Sequence, residues 1–275
     1  MDIAQLLQSA IHLNHLSDTA VVDCELLLCY VLDVDRSYLK TWPDRELSST
    51  DSEKFQQLLE RRIQGEPVAY LIGTQGFWTL DLNVSPDTLI PRPETELLVE
   101  AALEIDLPQQ ARVLDLGTGT GAIALALASE RSQWQISAVD LMPKAVQLAK
   151  ANCQRHQLDN VDIFQSSWFA EIPAQRFNLI VSNPPYIENE DAHLTQGDVR
   201  FEPASALVSG TDGLDDLRLL IAESVDYLAA SGWLMVEHGF QQGPAVRELF
   251  GLAGFTLVET RQDLNGHERI TFGCY

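Results

Sequence analysis

Apolar residues in the first quarter of the chain recur at helical spacing. Ile3, Leu6, Leu7, Ala10 and Ile11 form one stripe, and Ala20 to Leu32 is a second apolar run. A third helix is punctuated at both ends. Thr50 and Glu53 are spaced as a capping box, Phe55, Leu58, Leu59 and Ile63 make the stripe, and Gly65 with Pro67 stops it. Three short helices predict a small helical domain over residues 1–75. The pattern then changes: Phe77, Leu80, Leu82 and Val84 are mixed with polar residues and run into the turn formers Ser85-Pro86-Asp87. This predicts a β-hairpin linker over 76–90. Ile90-Pro91-Arg92-Pro93 is stiff, because each proline fixes its own φ and restricts the residue before it.

Over 91–275 helical spacing resumes from Glu94 to Ile105, and strand and helix then alternate. Strands are predicted at Arg112–Leu116, Gln135–Asp140, Val161–Gln165, Phe177–Ser182, Trp233–Glu237, Phe255–Thr260 and Ile270–Gly273. Helices fall between most of them, at Ala122–Glu130, Lys144–His156, Leu214–Ala229 and Ala245–Leu252. Such alternation predicts an α/β fold with a mostly parallel sheet covered by helices on both faces. Ligands on these sheets sit beyond the carboxyl ends of the strands, where the strand order reverses.

Composition adds bounds to this picture. With 275 residues and 45% hydrophobic content the chain has room for one large domain and one small one. The 18 basic side chains against 40 acidic ones give a net charge of -22. A field of that sign repels phosphate backbones and favours a protein partner or a small molecule. Cys24, Cys29, Cys153 and Cys274 have neither disulfide-framework nor zinc spacing, so free thiols and no metal are expected. The start, MDIAQLLQSA, has no basic segment ahead of an apolar run, and no apolar run reaches membrane-spanning length. A cytoplasmic protein without a membrane partner is expected.

The first predicted strand runs into Asp115-Leu116-Gly117-Thr118-Gly119-Thr120-Gly121, with glycines at alternate positions. A turn without Cβ atoms lets backbone approach a ligand, and the helix after it presents free N–H groups. The spacing is not the dinucleotide G-x-G-x-x-G, and no Lys-Ser/Thr follows as in a phosphate-binding P-loop. Asp140 ends the next strand, where an acid can accept hydrogen bonds from both ribose hydroxyls. The pair predicts a nucleoside site without a pyrophosphate cradle, which fits S-adenosylmethionine better than NAD.

Asn183-Pro184-Pro185-Tyr186 follows the buried strand Phe177–Ser182. The Asn183 side-chain carbonyl and the Pro184 backbone carbonyl are acceptors that could take both protons of one NH₂ group. The nitrogen of a carboxamide or exocyclic amine has a delocalised lone pair and is a poor nucleophile. Two acceptors out of its plane favour a pyramidal nitrogen aimed at a methyl donor, which is catalysis by orientation and electrostatics. Tyr186 is expected to wall the planar group and the sulfonium. No general base is needed, since the methylated nitrogen is acidic after transfer. At this stage the amine remains either a glutamine amide or an adenine N6, and a non-catalytic scaffold is disfavoured because it needs no such clamp.

These segments resemble those of the bacterial peptide chain release factor N5-glutamine methyltransferases, the PrmC/HemK family. The resemblance runs over nearly the whole chain: Arg61-Arg62, Gly65-Glu66-Pro67, Leu89 through Glu96, Asp115 through Gly121, Ser182 through Ile187, Arg200-Phe201-Glu202-Pro203, Asp212-Gly213-Leu214 and Glu237-His238-Gly239. Asn-Pro-Pro-Tyr alone is shared with adenine-N6 DNA methyltransferases; the Ile-Pro-Arg-Pro-Glu-Thr-Glu and Arg-Phe-Glu-Pro segments are more specific. The resemblance implies a helical N-terminal domain, a hairpin linker and a class I S-adenosylmethionine-dependent methyltransferase domain with a Rossmann-like sheet. It implies methyl transfer to the glutamine of the Gly-Gly-Gln motif in class-1 release factors, modulating translation termination and releasing S-adenosylhomocysteine. By motif position Gly117, Thr118, Gly119, Thr120, Gly121, Asp140, Trp168 and Asn183 would hold the cofactor, and Asn183, Pro184, Pro185 and Tyr186 the glutamine. Family members often carry an acid just before the aromatic residue; here Ser167 stands before Trp168. Arg92, the Arg200–Pro203 segment and Glu237-His238 remain open between contact with ligand and structural duty. Glu94 and Glu96 are expected to favour a helix N-terminus.

Overall fold

A computed structural model describes residues 1–275. The chain forms two compact units, Met1–Thr74 with Ala192–Phe201, and Gln75–Asp191 with Glu202–Tyr275. No helix is long and apolar enough to cross a membrane.

The first unit is helical: α1 (Ile3–Leu7) continued by a 3-10 segment (Gln8–Leu13), α2 (Ala20–Leu32), α3 (Arg36–Thr41), α4 (Ser49–Ile63) and α5 (Val68–Ile72). Ile3, Leu13, Leu27, Leu28 and Phe55 meet in its core with no exposed surface. Two details differ from the sequence pattern. The cap of α4 is Ser48, whose hydroxyl accepts from the Asp51 N–H at 3.1 Å, while Thr50 and Glu53 lie inside the helix. Ser48 has the extended backbone that lets a side chain reach back to the first turn, which a residue already in helical conformation lacks. The sequence pattern does not show α3 and α5, which are too short to reveal a period.

Residues 192–201 bind to these helices through Arg62. Its buried guanidinium donates to Asp23 (2.8 Å), to Asp198 (2.9 Å) and to the carbonyls of Gly65 and Glu66. A buried cation survives only when surrounded in this way, and losing one partner of such a pair typically costs about 3–5 kcal/mol. Arg200 adds a donor to the Gln64 carbonyl at 3.0 Å. The Arg61-Arg62, Gly65-Glu66-Pro67 and Arg200 segments singled out from sequence thus meet in one place.

The second unit starts at Gln75, within the hairpin of β1 (Thr74–Phe77) and β2 (Leu80–Asn83). Phe77, Leu80 and Leu82 are buried in the same cluster as α6 (Glu96–Glu104) and α7 (Ala122–Glu130), so the hairpin contributes to the core of this unit. The remaining elements are β3 (Arg112–Leu116), β4 (Gln135–Asp140), α8 (Pro143–Arg155), β5 (Val161–Gln165), β6 (Phe177–Ser182), α9 (Asp215–Ser224), β7 (Leu228–Glu237), α10 (Gly243–Leu252), β8 (Thr256–Gln262) and β9 (Glu268–Cys274). They form a seven-stranded sheet in the order β5-β4-β3-β6-β7-β9-β8, parallel through β7 and antiparallel at β9 and β8. The α/β reading holds. Alternate residues serve opposite faces: Val113, Leu179 and Val181 pack under α6 and α7, while Leu114, Leu116 and Ile180 pack with α9 and α10. The helix expected over Leu214–Ala229 ends at Ser224, because Tyr227 turns back to bond Ser224 and its own carbonyl accepts from Phe177 at the start of β6. The order reverses between β3 and β6, and the crevice beyond their carboxyl ends is where a ligand is expected.

Candidate active site

Strand register sets the site. Leu116 pairs with Val139 on β4 and with Ser182 on β6, and Ser182 pairs with Val236 on β7. The next residues along these strands, Gly117, Asp140, Asn183 and Glu237, therefore stand in one row across the carboxyl edge of the sheet. The Ser182 hydroxyl closes the end of the β3–β6 pair by donating to the Leu116 carbonyl at 2.8 Å.

A cavity of about 210 Å³ opens along this edge. A single ordered water needs only about 10–15 Å³, so the space suits a larger guest. Its lining includes Gly117, Thr118, Gly119, Thr120, Asp140, Ser167, Trp168, Asn183 and Pro185, together with Arg92 and Thr95. Gly117 sits at φ +72°, and a Cβ there would come within 3.2 Å of the Trp168 ring, so a side chain would push the indole off the loop. Asp140 braces the loop: one carboxylate oxygen accepts from the Gly119 N–H (2.9 Å), the other from the Met142 N–H (2.8 Å). Each oxygen keeps a lone pair for a further donor. Burial raises the Asp140 pKa, while those two N–H groups oppose the rise.

Beneath the loop lies Asp115, with no exposed surface. Its Oδ2 accepts from the Thr118 hydroxyl at 2.6 Å. Burial pushes this carboxyl up to about 7, with Asp140 adding to the rise and the Thr118 hydroxyl and the Ala124 N–H opposing it. Asp115 supports the loop from below and does not line the cavity.

On the β6 side, Asn183 Nδ2 donates to the Thr95 hydroxyl at 3.1 Å, which leaves Oδ1 as the atom able to accept. Pro184 is buried and Tyr186 partly buried, and the lining itself comes from Asn183 and Pro185. Tyr186 is set behind that wall. Its hydroxyl donates to Glu237 at 3.2 Å, and its carbonyl accepts from Gln242 at 3.0 Å. The Asp-Gly-Leu segment packs here: a Cβ on Gly213 would stand 2.3 Å from the Tyr186 carbonyl oxygen, a separation only glycine permits. Arg92 and the Arg-Phe-Glu-Pro segment pair with each other. Buried Glu202 accepts from Arg92 (2.7 Å) and from the Ile90 N–H (3.1 Å), which fixes the proline-rich wall of the cavity. His238 is fully buried, with its ring nitrogens against the Gly239 carbonyl and the Thr271 hydroxyl, and burial lowers its pKa. It is a structural histidine.

The chain is 56% identical over 257 residues to the release factor glutamine methyltransferase of Pseudomonas aeruginosa, covering 94% of this chain and 93% of that one. The chain belongs to the release factor glutamine methyltransferase family. The namesake from Escherichia coli is 48% identical over 275 residues, covering 100% of this chain and 99% of its own. Residues 93–227 match the methyltransferase small domain family and residues 5–73 the PrmC N-terminal domain family. A methyltransferase from Pyrococcus furiosus, 16% identical, superposes with a TM-score of 0.56 over 80% of this chain and 98% of its own, a likeness of fold alone. The sequence of this release factor glutamine methyltransferase family member does not single out Asp115 or Thr95 individually, and it leaves Glu237 open between contact with ligand and structural duty. All three sit inside segments that carried the resemblance, but nothing in spacing shows that Thr95 reaches Glu237.

Proposed function

We propose that this enzyme transfers a methyl group from S-adenosylmethionine to the side-chain N5 of the glutamine in the Gly-Gly-Gln motif of class-1 peptide chain release factors. The observation that carries the reading is Asn183 in the cavity wall with its Nδ2 committed to Thr95, so that its Oδ1 is presented as an acceptor. A glutamine NH₂ held there and by the Pro184 carbonyl has both protons engaged out of plane, which localises its lone pair. Bound cofactor supplies an electrophilic methyl on a sulfonium; everything else falls to orientation and electrostatics. The proton released from nitrogen after transfer goes to water or to the same acceptors.

The residues fit that cofactor. Gly117 through Gly121 and Trp168 would hold the adenosyl group and Asp140 the ribose hydroxyls. The acidic balance, -22, disfavours a nucleic-acid substrate.

The function itself is tested by incubating the enzyme with a release factor and labelled S-adenosylmethionine. Mass spectrometry should place one methyl group on the Gly-Gly-Gln glutamine. Label on DNA or RNA with none on the release factor would overturn the proposal.

A further inference from the structure

Behind the cavity wall lies a buried hydrogen-bond network that gives Asn183 its orientation. Thr95 and Glu237 are 4% and 2% exposed. The Thr95 hydroxyl lies 2.6 Å from Glu237 Oε2 and 3.1 Å from Asn183 Nδ2, and the Tyr186 hydroxyl donates to Glu237 Oε1 at 3.2 Å. Thr95 has one proton to give, and an ionised carboxylate can only accept. Its proton therefore goes to Glu237, and its oxygen is left as an acceptor. The group that meets that oxygen must be a donor, so the amide of Asn183 turns its NH₂ inward and its carbonyl outward. The opposite rotamer would set two acceptors against each other, or take the Thr95 proton away from a buried carboxylate.

We infer that Glu237, acting through Thr95, is a positioning residue that fixes which end of the Asn183 amide faces the substrate. The inference rests on the amide-clamp reading above and names what holds the clamp. It also accounts for Tyr186, whose hydroxyl is tied to the other oxygen of the same carboxylate. Glu237 does not line the cavity, so its effect on substrate passes through Thr95 and Asn183.

Protonating Glu237 would undo the arrangement. Its O–H could then donate to Thr95, freeing the Thr95 proton for Asn183 and letting the amide turn over. Burial pushes this carboxyl up to about 7, with Glu94 adding to the rise and Thr95, Tyr186 and Arg269 of β9 opposing it. The neighbouring His238 has both ring nitrogens engaged elsewhere.

The test compares wild type with Thr95→Val, Thr95→Ser, Glu237→Gln and Asn183→Ala, at saturating cofactor. Thr95→Val, which keeps the shape and removes the hydroxyl, should lower kcat by roughly ten- to hundredfold with the cofactor Kd unchanged, and Thr95→Ser should restore it. Wild-type kcat should fall as pH drops through about 7, and Glu237→Gln, neutral at every pH, should lose that acid limb. Its melting temperature should not fall, because a costly buried charge has been removed. A Glu237→Gln enzyme that keeps the wild-type acid limb would overturn the inference even if Thr95→Val failed to fold. Full kcat in Thr95→Val beside an inactive Asn183→Ala would sink the relay and leave the clamp standing. Full kcat in Asn183→Ala would sink the clamp itself.

Discussion

Asn183→Ala is expected to lower kcat by about 10²–10³-fold, the loss seen when one preorganised hydrogen-bonding group is removed from a transition-state site. The reason lies in the nucleophile. A carboxamide nitrogen shares its lone pair with the carbonyl, and the barrier includes the cost of localising it. Asn183 Oδ1 accepts an N–H most strongly as that nitrogen turns pyramidal and gains positive charge, so its contribution grows toward the transition state. Alanine removes that acceptor and leaves the Thr95 hydroxyl facing an empty corner. The glycine loop and its brace are untouched, since Asp140 is held by Gly119 and Met142 and not by Asn183. Cofactor affinity should therefore change little. Steady-state kinetics with a release factor, alongside calorimetry for the cofactor, separates the two. A variant whose KM for release factor rises while kcat stays constant would show that Asn183 binds ground state and transition state alike, which contradicts the role assigned to it.

The sheet and its loop were legible because their signals are local. β3 followed by alternate glycines, Asp140 at the next strand end and Asn183 at the end of β6 each depend on a few consecutive residues. The order of chemistry along the edge also follows once parallel strands are assumed. The network behind Asn183 was not legible. Thr95 and Glu237 are 142 positions apart, and their contact depends on β6 and β7 pairing with Ser182 opposite Val236. A shift of one residue would point Glu237 to the other face of the sheet. The assignment of residues 192–201 to the helical unit was equally hidden. It depends on Asp198 meeting Arg62 at a separation of 136 positions, and one aspartate in a short loop does not advertise a buried partner. The cap of α4 is ambiguous in sequence for a different reason: Ser48 and Thr50 are both good capping residues, and only backbone conformation separates them.

Asp140→Ala is expected to weaken cofactor binding by about 10²-fold, the loss of roughly 3 kcal/mol that two charge-assisted hydrogen bonds to ribose hydroxyls would carry. Part of that loss is indirect. Asp140 also braces Gly119, whose φ of +56° holds the turn of the loop, and alanine leaves that N–H without its acceptor. Asp140→Asn separates the contributions. Its single carbonyl oxygen can still accept, but its NH₂ opposes either the Gly119 or the Met142 N–H, so it should bind between the wild type and the alanine variant. At saturating cofactor both variants should approach wild-type kcat, since neither touches the amide clamp. Calorimetric Kd values for S-adenosylmethionine and for its demethylated product check this, and the two ligands should weaken in parallel because they share the ribose. Unchanged affinity in Asp140→Ala would detach the acid at the end of β4 from the ribose. A selective loss for the methylated ligand alone would move its influence from the sugar to the sulfonium.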